Sequence, residues 1–191
     1  MVAPYLVELN SRNVTRLESL DEADLIGMND AHQVVGNFSR LVEGGSRQQH
    51  AFVTGPDGTG MVDLGTLGGD HRFATAINTA GRVVGTADTV TGARHAFIKG
   101  PNGAGMTDLE SFRNPLGISD AGQIVGGFGT SRGATRAFIT GPNATGMADL
   151  GTLGGDRSTA YGLNNKGQVV GDSETSISSA MLSLPAAMVP A

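Results

Sequence analysis

Apolar residues come in short runs along this chain, and glycine-rich polar turns separate them. Two motifs carry most of the pattern. The first is "GMNDAHQVVG" (27–36), "AINTAGRVVG" (76–85), "GISDAGQIVG" (117–126) and "GLNNKGQVVG" (162–171). The second is "HAFVTGPDGTGMVDL" (50–64), "HAFIKGPNGAGMTDL" (95–109) and "RAFITGPNATGMADL" (136–150). Each unit predicts four short strands: one ending in "AIN", then "RVVG", "HAFI" and "MTDL". Asn, Asp and Gly between the first two supply hairpin turn chemistry. "GPDG" and "GPNG" place Pro at i+1 and Asp or Asn at i+2 of a type I turn. Leu17, Leu20 and Leu25 stand at near-helical spacing within 16–28. A repeat boundary runs through that stretch, so strand is the expectation there too.

The closing glycines of the first motif, Gly36, Gly85, Gly126 and Gly171, fall 49, 41 and 45 residues apart. Four-stranded units of about 40–50 residues mark propeller blades. One such unit cannot bury its own face, but stacked neighbours can. The expectation is all-β: a single repeat domain over 1–191, a β-propeller-like array of four-stranded repeats with four blades. Its units run roughly 1–24 (partial), 25–73, 74–114, 115–158 and 159–191 (partial). Closure would come from the N-terminal strands pairing into the last blade. An open β-solenoid, or a partial propeller completed by a second chain, fits the same pattern.

Composition sharpens this picture. Glycine is 30 of 191 residues, about twice its ordinary share, which disfavours helix and favours turns and bulges. The net charge is −5, and 11 of the 13 basic residues are scattered arginines, so nucleic acid is not an expected partner. There is no cysteine, hence no disulfide or thiolate metal site. No apolar stretch is long enough for a transmembrane helix, so no membrane insertion is expected. The first residues do not read as a signal peptide.

Taken together, "HAF", "GMxDLGTLGG" and "GINxxGQVVG" resemble the bacterial HAF-repeat family of extracellular repeat proteins, over roughly residues 23–172. The resemblance implies a secreted or surface-associated protein, extracellular or at the cell surface, and brings no activity with it. Three departures stand out: Arg136 replaces the motif His, "ESFRN" (110–114) replaces "GTLGG", and His32 replaces a turn Gly.

Three basic residues each precede an Asp by 13 positions: His50 and Asp63, His95 and Asp108, Arg136 and Asp149. A hairpin centred on Pro56–Asp57 would place His50 opposite Asp63 as a structural cross-strand pair. That Arg can stand in for His favours a charge pair over a metal ligand or general base. A bulge at Gly58 would instead put the two side chains on opposite faces. "GTLGGD" lacks the Lys–Ser/Thr of a phosphate loop and reads as a blade-to-blade crossing. Asp70, His71 and Arg72 follow it in one unit, Asp156 and Arg157 in another, and Tyr161 lies nearby. These five charged residues are the candidate ligand-binding set. No catalytic residue, metal site or cofactor is assigned: the Asp–His neighbours in 29–32 and 68–72 each lack a third ligand.

The expected function is a non-enzymatic binding or adhesion module with a glycan or other surface ligand. Scarce tyrosine and absent tryptophan count against sugar stacking. A hydrolase on a propeller scaffold and a purely structural spacer are the alternatives. The oligomeric state is open.

Overall fold

A computed structural model describes residues 5–8, 13–16, 23–110 and 114–176. It is all-β, with strands grouped into successive antiparallel units, the first two joined into one eight-stranded sheet by a parallel bridge between Gln49 and His71. A short hairpin comes first, β1 (Tyr5–Glu8) with β2 (Asn13–Arg16). The first full unit holds β3 (Asp24–Met28), β4 (Val34–Leu41), β5 (Arg47–Thr54) and β6 (Met61–Asp63). The second holds β7 (Gly68–Ile77), β8 (Val83–Thr89), β9 (Arg94–Lys99) and β10 (Met106–Leu109). The third holds β11 (Asn114–Ile118), β12 (Ile124–Gly129), β13 (Thr135–Ile139) and β14 (Ala148–Gly151). A fourth contributes β15 (Gly154–Leu163) and β16 (Val169–Thr175). None of these sheets closes into a barrel. Residues 24–28 are strand, as expected; 17–22, the rest of the leucine-spaced stretch, lie outside the described residues.

The second and third strands of an inner unit are buried on both faces, because a neighbouring unit packs on each side. Hence both Val83 and Val84 are buried, as are Ala96, Phe97 and Ile98 in succession. Val35 packs with Ala74, Val83 and Phe97 of the second unit. Val84 packs with Ile118, Ile124 and Phe138 of the third, and Val125 with Ala160 and Leu163 of the fourth.

The closing glycine has a steric cause. In every unit the first strand carries a bulge, at Leu25/Gly27, Ala74/Ala76, Pro115/Gly117 and Ala160/Gly162. The bulge pushes a backbone carbonyl toward the opposite glycine. A Cβ at Gly85 would overlap the Phe73 carbonyl oxygen and the Phe97 ring. Gly36 stands in the same way to Asp24 and Phe52, and Gly126 to Asn114 and Phe138. The "AF" phenylalanine thus lies with its ring edge on a glycine.

The Asn-containing turns do more than reverse the chain. Asn29 Oδ1 accepts the Ala31 and Gln33 amides of its own turn. Its Nδ2 donates to the Asn78 carbonyl of the next unit at 3.1 Å, and Asn78 Nδ2 donates to the Ser119 carbonyl at 3.0 Å. The neighbouring positions repeat the handover: the Thr79 amide donates to Asp120 Oδ1, and the Asp120 amide to Asn165 Oδ1. Gln33 Nε2 and Arg82 Nη1 reach forward to Asn102 Oδ1 and Asn143 Oδ1. One polar ladder runs through all four units.

Three expectations need correction. The Pro turns are not type I, because Asp57, Asn102 and Asn143 have φ of 60°, 54° and 54°. Asp and Asn stand there since they tolerate left-handed backbone. "GGD" is not a loop: Gly68 and Gly154 open ten-residue strands. Its second glycine is demanded by close approach, since a Cβ at Gly69 would meet the Asp88 backbone at 2.6 Å. Finally, among the described residues β1 and β2 pair with each other and not with β16; the rest of the last unit lies outside them.

Gly85→Ala is expected to cost about 3 kcal/mol through overpacking. Gly27→Ala, whose Cβ meets nothing within 4 Å, should cost much less; urea unfolding compares the two. Ala144 occupies with φ 59° the place that Gly58 and Gly103 hold in the other units. Ala144→Gly should therefore raise stability by about 0.5–1 kcal/mol, read as a higher urea midpoint.

Candidate functional site

The basic–acidic pairs lie on one sheet face, but not in the expected register. Asp63 is opposite Phe52, Asp108 opposite Phe97 and Asp149 opposite Phe138. The Gly-Pro loop is longer than a two-residue turn, so pairing slides by two positions. A slide of two keeps the face, and the partners meet diagonally across the strands. His50 Nδ1 lies 2.5 Å from Asp63 Oδ2, His95 Nδ1 lies 2.9 Å from Asp108 Oδ2, and Arg136 Nε lies 3.4 Å from Asp149 Oδ2.

At the first junction this pair is sealed. Arg72 reaches in from β7, with Nη2 at 3.0 Å from His50 Nε2 and 3.3 Å from Asp63 Oδ2. The same Nη2 also contacts His50 Nδ1, so guanidinium, imidazole and carboxylate form one hydrogen-bonded cluster. Both His50 and Arg72 are buried. Burial works to raise the Asp63 carboxyl. The His50 hydrogen bond, the Gly65 amide and the Arg72 charge outweigh it and hold Asp63 below its ordinary 3.8. Lys99 is buried as well; desolvation pulls its ammonium below the usual 10.5 while the Asp63 charge opposes. Lys99 was not singled out from sequence. Its signal was the substitution at a threonine position: Thr54 Oγ1 and Thr140 Oγ1 each accept a backbone amide at 2.8 Å. Gln48 Nε2 donates to Asp70 Oδ1 at 2.7 Å, and Gln49 bridges in parallel to His71. Asp70, His71 and Arg72 are therefore engaged in joining two units. Two buried nitrogens there, His71 Nδ1 and Arg72 Nε, lack a hydrogen-bond partner among the described residues.

The third junction holds the same positions in a different state. Ala134 replaces Gln48, and Ser158 replaces Arg72. The Ser158 hydroxyl turns inward, donating to the Gly151 carbonyl and accepting the Ala137 amide. With neither long side chain present, a groove of about 630 Å³ opens, lined by Phe128, Arg132, Ala134, Arg136, Asp149 and Asp156. Asp156 is on its wall and exposed. Arg157 is its neighbour on the strand and points to the other face, lining a smaller depression of about 340 Å³ with Thr135 and Glu174. The Asp156 and Arg157 amides both donate to Glu174 Oε2 at 3.2 Å. Tyr161 donates its hydroxyl to Asp172 at 2.7 Å, which raises its own ionisation above the usual range. The five candidate ligand residues are thus spread over two junctions, and only Asp156 faces the groove.

No family model matches the chain, and no curated protein matches it. Among solved structures, the crystal structure of TolB from Acinetobacter baumannii is similar in fold, with a TM-score of 0.55 at 13% identity. The likeness covers 83% of this chain and 42% of that one, so the chain spans under half of TolB's length. TolB is a β-propeller-type structure, and the likeness is one of fold alone. Among the described residues no helix is long and apolar enough to cross a membrane, and no group of three or more His, Cys, Asp or Glu could hold a metal ion.

Asp63→Asn leaves buried Arg72 and Lys99 without their counter-charge. The expected loss at neutral pH is about 2 kcal/mol, below the range for fully buried pairs because Asp63 is 39% exposed. A carboxyl held low stabilises the fold above its unfolded value. The gap between the variant and the parent should therefore be full above pH 3.8 and close as pH falls below it, measured by urea unfolding across pH.

Proposed function

We propose that the chain is a non-enzymatic recognition module of the HAF-repeat type, acting outside the bacterial cell, and that its four units form an arc of propeller blades. Its ligand is polar and rich in hydroxyls or carboxylates, a glycan being the chosen class. The observation that carries this reading is the third junction. There the sealing pair of the first junction is replaced by Ala134 and Ser158, while Arg132, Arg136, Asp149 and Asp156 remain around the opening. Carboxylates accept from sugar hydroxyls, and guanidinium groups donate to them. Phe128 on the groove wall supplies the apolar face that a sugar ring stacks on. The motif resemblance supports the extracellular setting, and the TolB likeness supports the arc.

A second reading is favoured by one feature, the pair of carboxylates on a single groove. Glycoside hydrolysis uses two such groups. One experiment separates the two. The purified protein is screened against an array of polysaccharides, and released reducing sugar is measured in parallel. Binding without release is expected. Asp156→Ala and the groove-filling Ala134→Gln should each weaken it by tenfold or more, about 1.4 kcal/mol, with unchanged thermal unfolding. Release of sugar that Asp149→Asn abolishes would establish the hydrolase instead. No binding to any polysaccharide would overturn both.

A further inference from the structure

Among the described residues, the first and last units present faces that correspond to the two sides of the internal junctions, and each face exposes apolar residues. Val35, Val84 and Val125 are fully buried because each meets the next unit. Val170 holds the same repeat position in the fourth unit and is 66% exposed. At the other end, Leu25 and Met28 correspond to Ala74 and Ile118, which are 2% and 8% exposed within the array. Leu25 is 38% exposed and Met28 51%, beside Val34 and Phe52 of the same face, which are buried.

Among the described residues the polar ladder is likewise open at both ends. Asn164 Oδ1 accepts the Lys166 and Gln168 amides, as its counterparts do in their turns. Its Nδ2 donates to Gln168 of its own turn, whereas Asn29 and Asn78 also hand their amides to a following unit. The Asn165 amide stands where Thr79 and Asp120 donate forward, and exposed Asp30 stands where Asp120 accepts. Charge matches as well. The fourth turn carries Lys166 where the other units have alanine, and the first unit's turns carry Asp30 and Asp57.

We infer that a second copy of this chain docks head to tail. The face around Val170 and the 164–168 turn of one copy seats on Leu25, Met28 and the 29–33 turn of the next, reproducing the internal junction. The Asn164 amide then donates to the Asn29 carbonyl, the Asn165 amide to Asp30, and Lys166 lies between two carboxylates. Such a contact is heterologous, joining unlike patches; it closes into a ring where the rotation permits and otherwise leaves a free head and a free tail.

The test uses blocked copies of the 191-residue chain in analytical ultracentrifugation. The parent protein should gain mass with concentration, and less so in high salt. Met28→Arg blocks the head and Val170→Arg blocks the tail; each alone should stay monomeric. Mixed, they should form a pair and nothing larger, since only one head and one tail remain competent. Both positions are exposed, so both variants should keep the parent's circular dichroism and thermal midpoint. Lys166→Glu, on an exposed turn, should weaken association about fivefold. A parent that stays monomeric at every concentration would overturn the inference, as these faces would then be covered within one chain or reserved for another partner. Association that survives in both blocked variants would overturn it as well.

Discussion

The unit is organised around one contact: a phenylalanine ring edge lying on a glycine, with a bulged carbonyl closing from the other side. Gly36, Gly85 and Gly126 each accept Phe52, Phe97 and Phe138 in this way. No side chain fits between them. The bulge sharpens the local twist of the first strand, as bulges do. That twist lets adjacent units stack while both faces of their inner strands become core. The double-sided burial of "VVG" and "AFI" in the second unit follows from that stacking, and so does the exposure of Val170 where the stacking stops.

On this scaffold the junctions are not equal. Polar ladder and apolar core recur from unit to unit, whereas the patch beside the basic–acidic pair varies. The first junction fills it with Gln48 and Arg72, and the third leaves it empty behind Ala134 and Ser158. Arg72 fastens two units together by tying His50 and Asp63 of one to β7 of the next. The same space therefore serves as a clamp in one place and as a recess in another. Substitution at two positions separates these uses without disturbing the core, because neither position contributes an apolar side chain to it.

Much of the architecture was legible in the sequence because the repeat makes each unit a check on the others. The four-strand reading comes from spacing alone, whereas the shared face of His50 and Asp63 was one of two outcomes that spacing allowed. Register did not, because the Gly-Pro loop holds more residues than the turn type assumed, and spacing cannot count residues in a loop. Reading "GGD" as a crossing erred because glycine signals both turns and close approach, and only packing tells them apart. The Asn29-to-Asn78 handover joins residues 49 apart, and local pattern carries no trace of such a bond. The groove was visible only as what two units lack: alanine for glutamine, serine for arginine. Reading motif residues draws attention to what is present, and this recess is made by what is missing.

The diagonal register bears on how such arrays can change length. Each cation precedes its carboxylate by 13 positions, with the Gly-Pro loop between them. Side chains alternate faces along a strand, so slipping one strand past the other by a single residue would turn the carboxylate away from its cation. A slip of two would not. A change in length that the loop absorbs leaves the pair intact, whereas one passed on to the strands is restricted by parity, and only even slips keep cation and carboxylate together.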